Sequence, residues 1–133
     1  MTFSPAAADT IGSYLKLTNT TPEDYDLILT GDLGRIGSKL LYLLLDEMNV
    51  DIRNKHNDCG VLIYDLEKQD VHSGGSGCGC SASVLCSHIL PKMERGELNN
   101  VLFCATGALM SPTTVQQGEA IAGIAHIIYL KSV

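Results

Sequence analysis

Clusters of lysine and arginine are missing from this sequence. Nine basic residues stand against fifteen acidic ones among 133, a formal charge of −6. No run is basic enough to displace counterions from a nucleic acid or to meet anionic lipid headgroups, so neither partner is expected. Long apolar runs are missing as well. The longest, Leu40 to Leu45, falls far short of the roughly 20 residues that span a bilayer. Met1 to Ala8 has neither a basic start nor an apolar stretch, so no signal peptide is expected, and any membrane attachment should be peripheral or through a partner. An even, regularly spaced cysteine set is also lacking. Five cysteines at irregular spacing do not make a secreted disulfide framework, and reduced thiols inside a cell are the expectation. Internal repeats and low-complexity segments are absent.

What is present suffices for one domain with a buried core: 45% of the residues are apolar and 18% charged. Ser4-Pro5 reads as a helix start, with a serine to cap and a proline at the first position, and Ala7, Ala8, Ile11 and Leu15 share one face of a helix ending near Leu17. After a polar link around Pro22, Tyr25 to Thr30 reads as a strand, and its continuous Leu27-Ile28-Leu29 suits a parallel sheet covered on both faces. Gly31-Asp32-Leu33-Gly34 then leads into an amphipathic helix from Arg35 to Met48. Loops at the carboxyl ends of such strands are where open α/β sheets bind ligands, which singles out Asp32; the alternative is that Asp32 only caps the helix.

Farther on, Asn49 to Gly60 is polar, Val61 to Tyr64 reads as a short strand, and the Glu67 to Asp70 turn before Val71-His72 suggests a hairpin. His72 to Ser81 is a glycine-rich loop carrying Cys78 and Cys80, followed by a helix through Met93 to about Arg95, stopped by Gly96 and kinked at Pro91. Val101 to Thr106 is a buried strand, residues 107–119 an irregular crossing, and Ile124 to Leu130 a last strand, antiparallel at the edge of the sheet.

The glycine loop admits three chemistries. Cys78 and Cys80 with Cys59 and His56 could nominally hold zinc, but a single Cys-x-Cys pair is a poor match to structural zinc knuckles, and no metal is expected. A cysteine at a helix start could be a nucleophile if His56, His72 or His126 reached it as a base. Convergent backbone N–H groups could hold a carboxylate or phosphate. The loop has neither the Gly-Lys-Ser/Thr ending of a P-loop nor a dinucleotide fingerprint, so nucleotides are disfavoured and no cofactor is expected. His88 reads as an ordinary helix residue and His126 as a satisfied core histidine.

Five segments in order carry a resemblance: Pro5-Ala-Ala-Ala-Asp-Thr-Ile11, Tyr25-Asp-Leu-Ile-Leu-Thr-Gly-Asp-Leu33, His56-Asn-Asp-Cys-Gly60, Gly74-Gly-Ser-Gly-Cys78 and Ala105-Thr-Gly-Ala-Leu-Met-Ser-Pro-Thr113. From Pro5 to its end the chain resembles the carboxyl-terminal half of the stage V sporulation protein AD family, which is similar to thiolases and ketoacyl synthases. The resemblance implies a thiolase-like α/β half-domain over residues 1–133. It should have a mostly parallel sheet, an antiparallel edge strand and flanking helices, and lack the first strand of the half. In the family's sheet order that strand is central, so its loss should leave a gap or an open edge, and the chain should pair with a second copy or with the missing amino-terminal half, or rearrange. The implied role is binding of dipicolinic acid (pyridine-2,6-dicarboxylate) for uptake into developing spores, peripherally at the spore inner membrane with channel proteins as partners.

Condensing enzymes of the ketoacyl synthase III type carry a histidine in His-Gln-Ala-Asn after the strand matching Tyr25 to Thr30, and an asparagine in Gly-Asn-Thr before the next helix. Here Gly31 to Gly34 stands in the first place, and Gly74 to Ser81 contains no asparagine. Without those groups to stabilise a thioester oxyanion, the resemblance implies a binding protein and not an enzyme. The pocket residues it suggests are Asp32, Ser76 and Cys78, with His56 a fourth. Facing a dicarboxylate, Asp32 would have to be protonated, bridged or paired with a cation. The rivals are an acyl-thioester enzyme fragment using Cys78 or a cysteine of the other half, and a scaffold for a membrane complex.

Overall fold

In the computed structural model, residues 3–109 and 111–133 are described, the side chains of Leu109 and Thr114 excepted. Helix α1 (Ser4–Thr18) comes first, with Pro5 in its opening turn. Ser4 does not cap it: the Ser4 hydroxyl donates to the Gly37 carbonyl at 2.8 Å. It thereby ties α1 to α2 (Gly34–Glu47), a buried use of the serine that local sequence does not announce. Between them, β1 is Leu27–Thr30. Tyr25 stays outside the strand, buried edge-on against Tyr129 with ring centroids 5.7 Å apart.

The second strand departs from expectation. It is His56–Asp58 (β2), within the stretch that reads as polar, while Val61 belongs to the short helix α3 (Cys59–Leu62); the Val61 to Tyr64 strand and its hairpin do not form. An edge strand of three residues whose polar side chains all find partners gives no apolar pattern to detect.

The Pro91 kink takes a particular form. Helix α4 (Cys80–Val84) runs into a π-helical turn, Leu85–Ile89, and then α5 (Leu90–Glu94). Leu90 N–H donates to the Leu85 carbonyl, the i to i−5 bond of a π turn, just before the proline that cannot donate. Gly96, at φ +73°, ends the helix as expected. The final strands are longer than the sequence suggested: β3 is Asn100–Leu109 and β4 is Ala122–Lys131, with the short α6 (Pro112–Gln116) inside the expected irregular crossing.

The sheet order is β2-β1-β3-β4, parallel except for the antiparallel β3–β4 pair. No gap interrupts it, because β1 pairs directly with β3, Leu27 opposite Val101 through Thr30 opposite Cys104. Of the two expectations, a gap or an open edge, the gap is not found: the remaining strands close up on one another and β4 is left at the edge. Alternation along β1 builds two cores. Ile28 faces α1 and α2, packing with Ala8, Ile11, Leu41 and Leu45, whereas Leu29 faces the other layer with Val84, Ile89 and Met93. His126 is exposed on β4, not a core residue.

Candidate functional site

Where β1 ends, the chain turns at Gly31 beneath β3. A Cβ here would collide with Thr106 Oγ1 and stand 2.8 Å from Thr106 N, so nothing larger than glycine fits, the imidazole of the condensing enzymes included. Asp32 follows, and its carboxylate is a latch. Oδ2 accepts from the Ser76 hydroxyl at 2.7 Å and from Gly77 N–H at 3.3 Å, while Oδ1 accepts from the Thr106 hydroxyl at 3.0 Å. Thr106 Oγ1 in turn accepts from Asp32 N–H at 3.0 Å.

The glycine loop is fastened at its other side too. Ser73 carbonyl accepts from Arg35 N–H at 2.7 Å and its hydroxyl from Ile36 N–H at 3.2 Å, so the loop closes the start of α2. Gly74 has φ +130°, where L side chains are strained, and a Cβ on it would lie 2.5 Å from the Gly60 carbonyl. Gly75 N–H donates to that same carbonyl at 2.7 Å. Beyond these ties the loop opens: Ser76, Gly77, Cys78 and Gly79 are exposed, and neither Gly77 nor Gly79 has an atom within 4 Å of where a Cβ would stand. A cleft of about 210 Å³ lies beside the latch, walled by Asp32 and Ser76 with Phe3, Ser4, Leu33 and Ile36. Those walls hold no cationic side chain. A larger groove, about 730 Å³, lies at the far end of α2 beside Lys16, Asn19 and Met48, away from every candidate residue.

Asp32 and Ser76 thus meet at one loop junction, Cys78 lies exposed two residues beyond Ser76 on the same loop, and His56 does not join them. It stands on β2 in a separate chain of hydrogen bonds whose direction follows from the donors available. The Thr30 hydroxyl donates to Asp58 Oδ1 at 2.6 Å, so its oxygen accepts from His56 Nε2 at 2.9 Å, and His56 Nδ1 must then accept from the Tyr42 hydroxyl at 2.7 Å. Burial holds the imidazole neutral by pushing its pKa down to about 4. Asp58, only 1% exposed, also accepts from Leu33 N–H and Gly34 N–H, each at 2.9 Å, at the amino end of α2. Asp58, Thr30, Tyr42 and Thr106 escaped sequence reasoning, since their partners lie 14 to 74 residues away and no local pattern marks them.

The nucleophile reading loses support at Cys80, which is buried. Burial, reinforced by Asp32 and Asp58, raises its pKa and disfavours the thiolate. Burial likewise pushes Cys59 up to about 12. Of the candidate bases, His56 has both ring nitrogens engaged, His72 is exposed beside Asp70, and His126 is exposed on β4. Among the described residues no three His, Cys, Asp or Glu side chains converge as a metal would require.

Comparison with known proteins matches residues 1–131 to the family described as stage V sporulation protein AD. The chain is also similar to the stage V sporulation protein AD of Bacillus subtilis (strain 168), 53% identical over 123 residues. That alignment covers 92% of this chain and 36% of the relative, so the chain spans about a third of the relative's length.

Proposed function

The chain belongs to the stage V sporulation protein AD family and has a role in sporulation, and from that premise we propose that it binds dipicolinic acid at the loop junction held by Asp32, without catalysing a reaction. The observation that carries this reading is the latch itself. Asp32 spends its oxygens on Ser76, Gly77 and Thr106, which holds the loop against the sheet and leaves the backbone around Cys78 and Gly79 facing solvent. Backbone N–H groups at such a turn favour carboxylates. The three donors on Asp32 are neutral and leave its charge in place, so in this reading the dicarboxylate meets the backbone N–H groups with Asp32 protonated, bridged or paired with a cation. Gly31 supports the non-catalytic part, because its surroundings leave no room for the histidine that condensation uses.

The pocket is shared, in this reading, with the portion of the relatives that this chain does not span, in a thiolase-like whole. The wider setting we propose is peripheral association with channel proteins at the spore inner membrane. No helix among the described residues is long and apolar enough to cross a membrane.

Calorimetric titration of disodium dipicolinate into this chain, and into this chain joined to the amino-terminal portion of the Bacillus subtilis relative, tests the proposal. Saturable heat in either, weakened by Ser76→Pro, supports it. Absence of heat in both, or turnover of an acyl thioester by either, overturns it.

A further inference from the structure

Helix α2 turns an apolar ridge to solvent. Ile36, Leu40 and Leu43 recur at steps of four and three residues, which places them on the face opposite the buried Gly37, Leu41 and Leu45. Ile36 is 70% exposed and Leu43 63%, with Leu40 partly exposed between them. Apolar side chains scattered over a surface need no explanation, but three aligned along one helix do.

The charges beside that ridge are ordered along the helix. The first half of α2 carries Arg35 and Lys39 and its second half Asp46 and Glu47, all four exposed. Among the described residues Arg35, Lys39 and Glu47 form no ion pair, and Asp46 is paired with Arg53, which also reaches Asp51. At about 100° per residue, Arg35, Lys39 and Asp46 fall on one flank of the ridge. A helix basic at its start and acidic at its end, with an apolar seam along it, complements a copy of itself run in the opposite direction. A two-fold axis sets each flank against the same flank of the other copy, so basic halves lie along acidic halves and Ile36 meets the partner's Leu43. Parallel pairing, or a partner helix of a single charge, would set like charges against each other.

We infer that this face of α2 is where two copies of the chain dock, their α2 helices antiparallel about a two-fold axis near Leu40. Ile36 also walls the cleft beside Asp32 and Ser76, so the second copy closes one side of that cleft. The docking does not depend on what the cleft binds. A pair of 14-residue helices makes a smaller contact than the roughly 1,200–2,000 Å² of a standard interface, so the dimer is weak, with a dissociation constant on the order of 100 μM.

Sedimentation equilibrium of the 133-residue chain at loadings from about 10 μM to about 1 mM, which bracket that constant, tests the inference. The expected result is a monomer–dimer equilibrium weakened about tenfold or more by Leu43→Glu and unchanged by Ile128→Lys on the β4 edge. Arg35→Glu with Lys39→Glu should abolish self-association, as should Asp46→Lys with Glu47→Lys, and mixing these two variants should restore a dimer. Isotope-filtered Overhauser contacts between labelled and unlabelled copies should join Ile36 to Leu43, which lie two turns apart within one chain. All the substituted side chains are exposed, and a dispersed amide spectrum of each variant shows that it is folded. A monomer at every concentration, or a dimer indifferent to Leu43→Glu, overturns the inference. So does a monomer whose α2 amides shift only when the chain is joined to the amino-terminal portion of the Bacillus subtilis relative, which would put that portion on the face instead.

Discussion

Removing the Asp58 carboxylate would leave two backbone N–H groups and the Thr30 hydroxyl without acceptors where water scarcely reaches. Asp58→Ala should therefore cost about 3 kcal/mol in urea unfolding, and Asp58→Asn less, because an amide oxygen still accepts. His56 makes a pH prediction. Its folded pKa of about 4 lies below the value of about 6.5 in an unfolded chain. The unfolded state therefore binds the proton first, and stability that is full above pH 6.5 falls as the pH drops toward 4. His56→Gln should flatten that slope, as measured by thermal unfolding across the same window. Asp32 and Ser76 were legible in the sequence because a glycine-flanked carboxylate after a strand and a serine in a glycine loop are local signals. His56 stands apart from that junction and Asp58 carries no local signal, because what each does depends on partners distant in sequence.

At the scale of elements, the glycine loop holds its shape through backbone positions as much as side chains. Gly74→Ala puts a Cβ at φ +130° against the Gly60 carbonyl. It should destabilise by about 1–3 kcal/mol, and amide exchange should speed up first in residues 73–77. The apolar helices and buried strands were readable because periodicity records which face is covered: α1, α2, β1 and β3 lie within a few residues of where the pattern put them. The β2 strand was not, since His56-Asn57-Asp58 is polar and its pairing with β1 is visible only in three dimensions. Pro91 was rightly read as an interruption, but the π turn that accommodates it is a property of the backbone, not of composition.

Across the whole molecule, the sheet is continuous and ends in a long outer edge at β4. Among the described residues β4 pairs with β3 alone, and Ile128 and Tyr129 along it are about half exposed. Unpaired edges of that kind recruit another strand. Small-angle scattering over a concentration series should show this chain self-associating, and a monomer at every concentration would contradict the expectation.

Binding of dipicolinate by this chain requires that the ligand meet the loop junction. Nuclear Overhauser contacts between the pyridine ring protons and assigned amides, recorded on the chain with its ligand bound, test this most directly. The predicted result is contacts to residues 76–79, lost in Ser76→Pro. Contacts confined to the groove at the far end of α2 would contradict it.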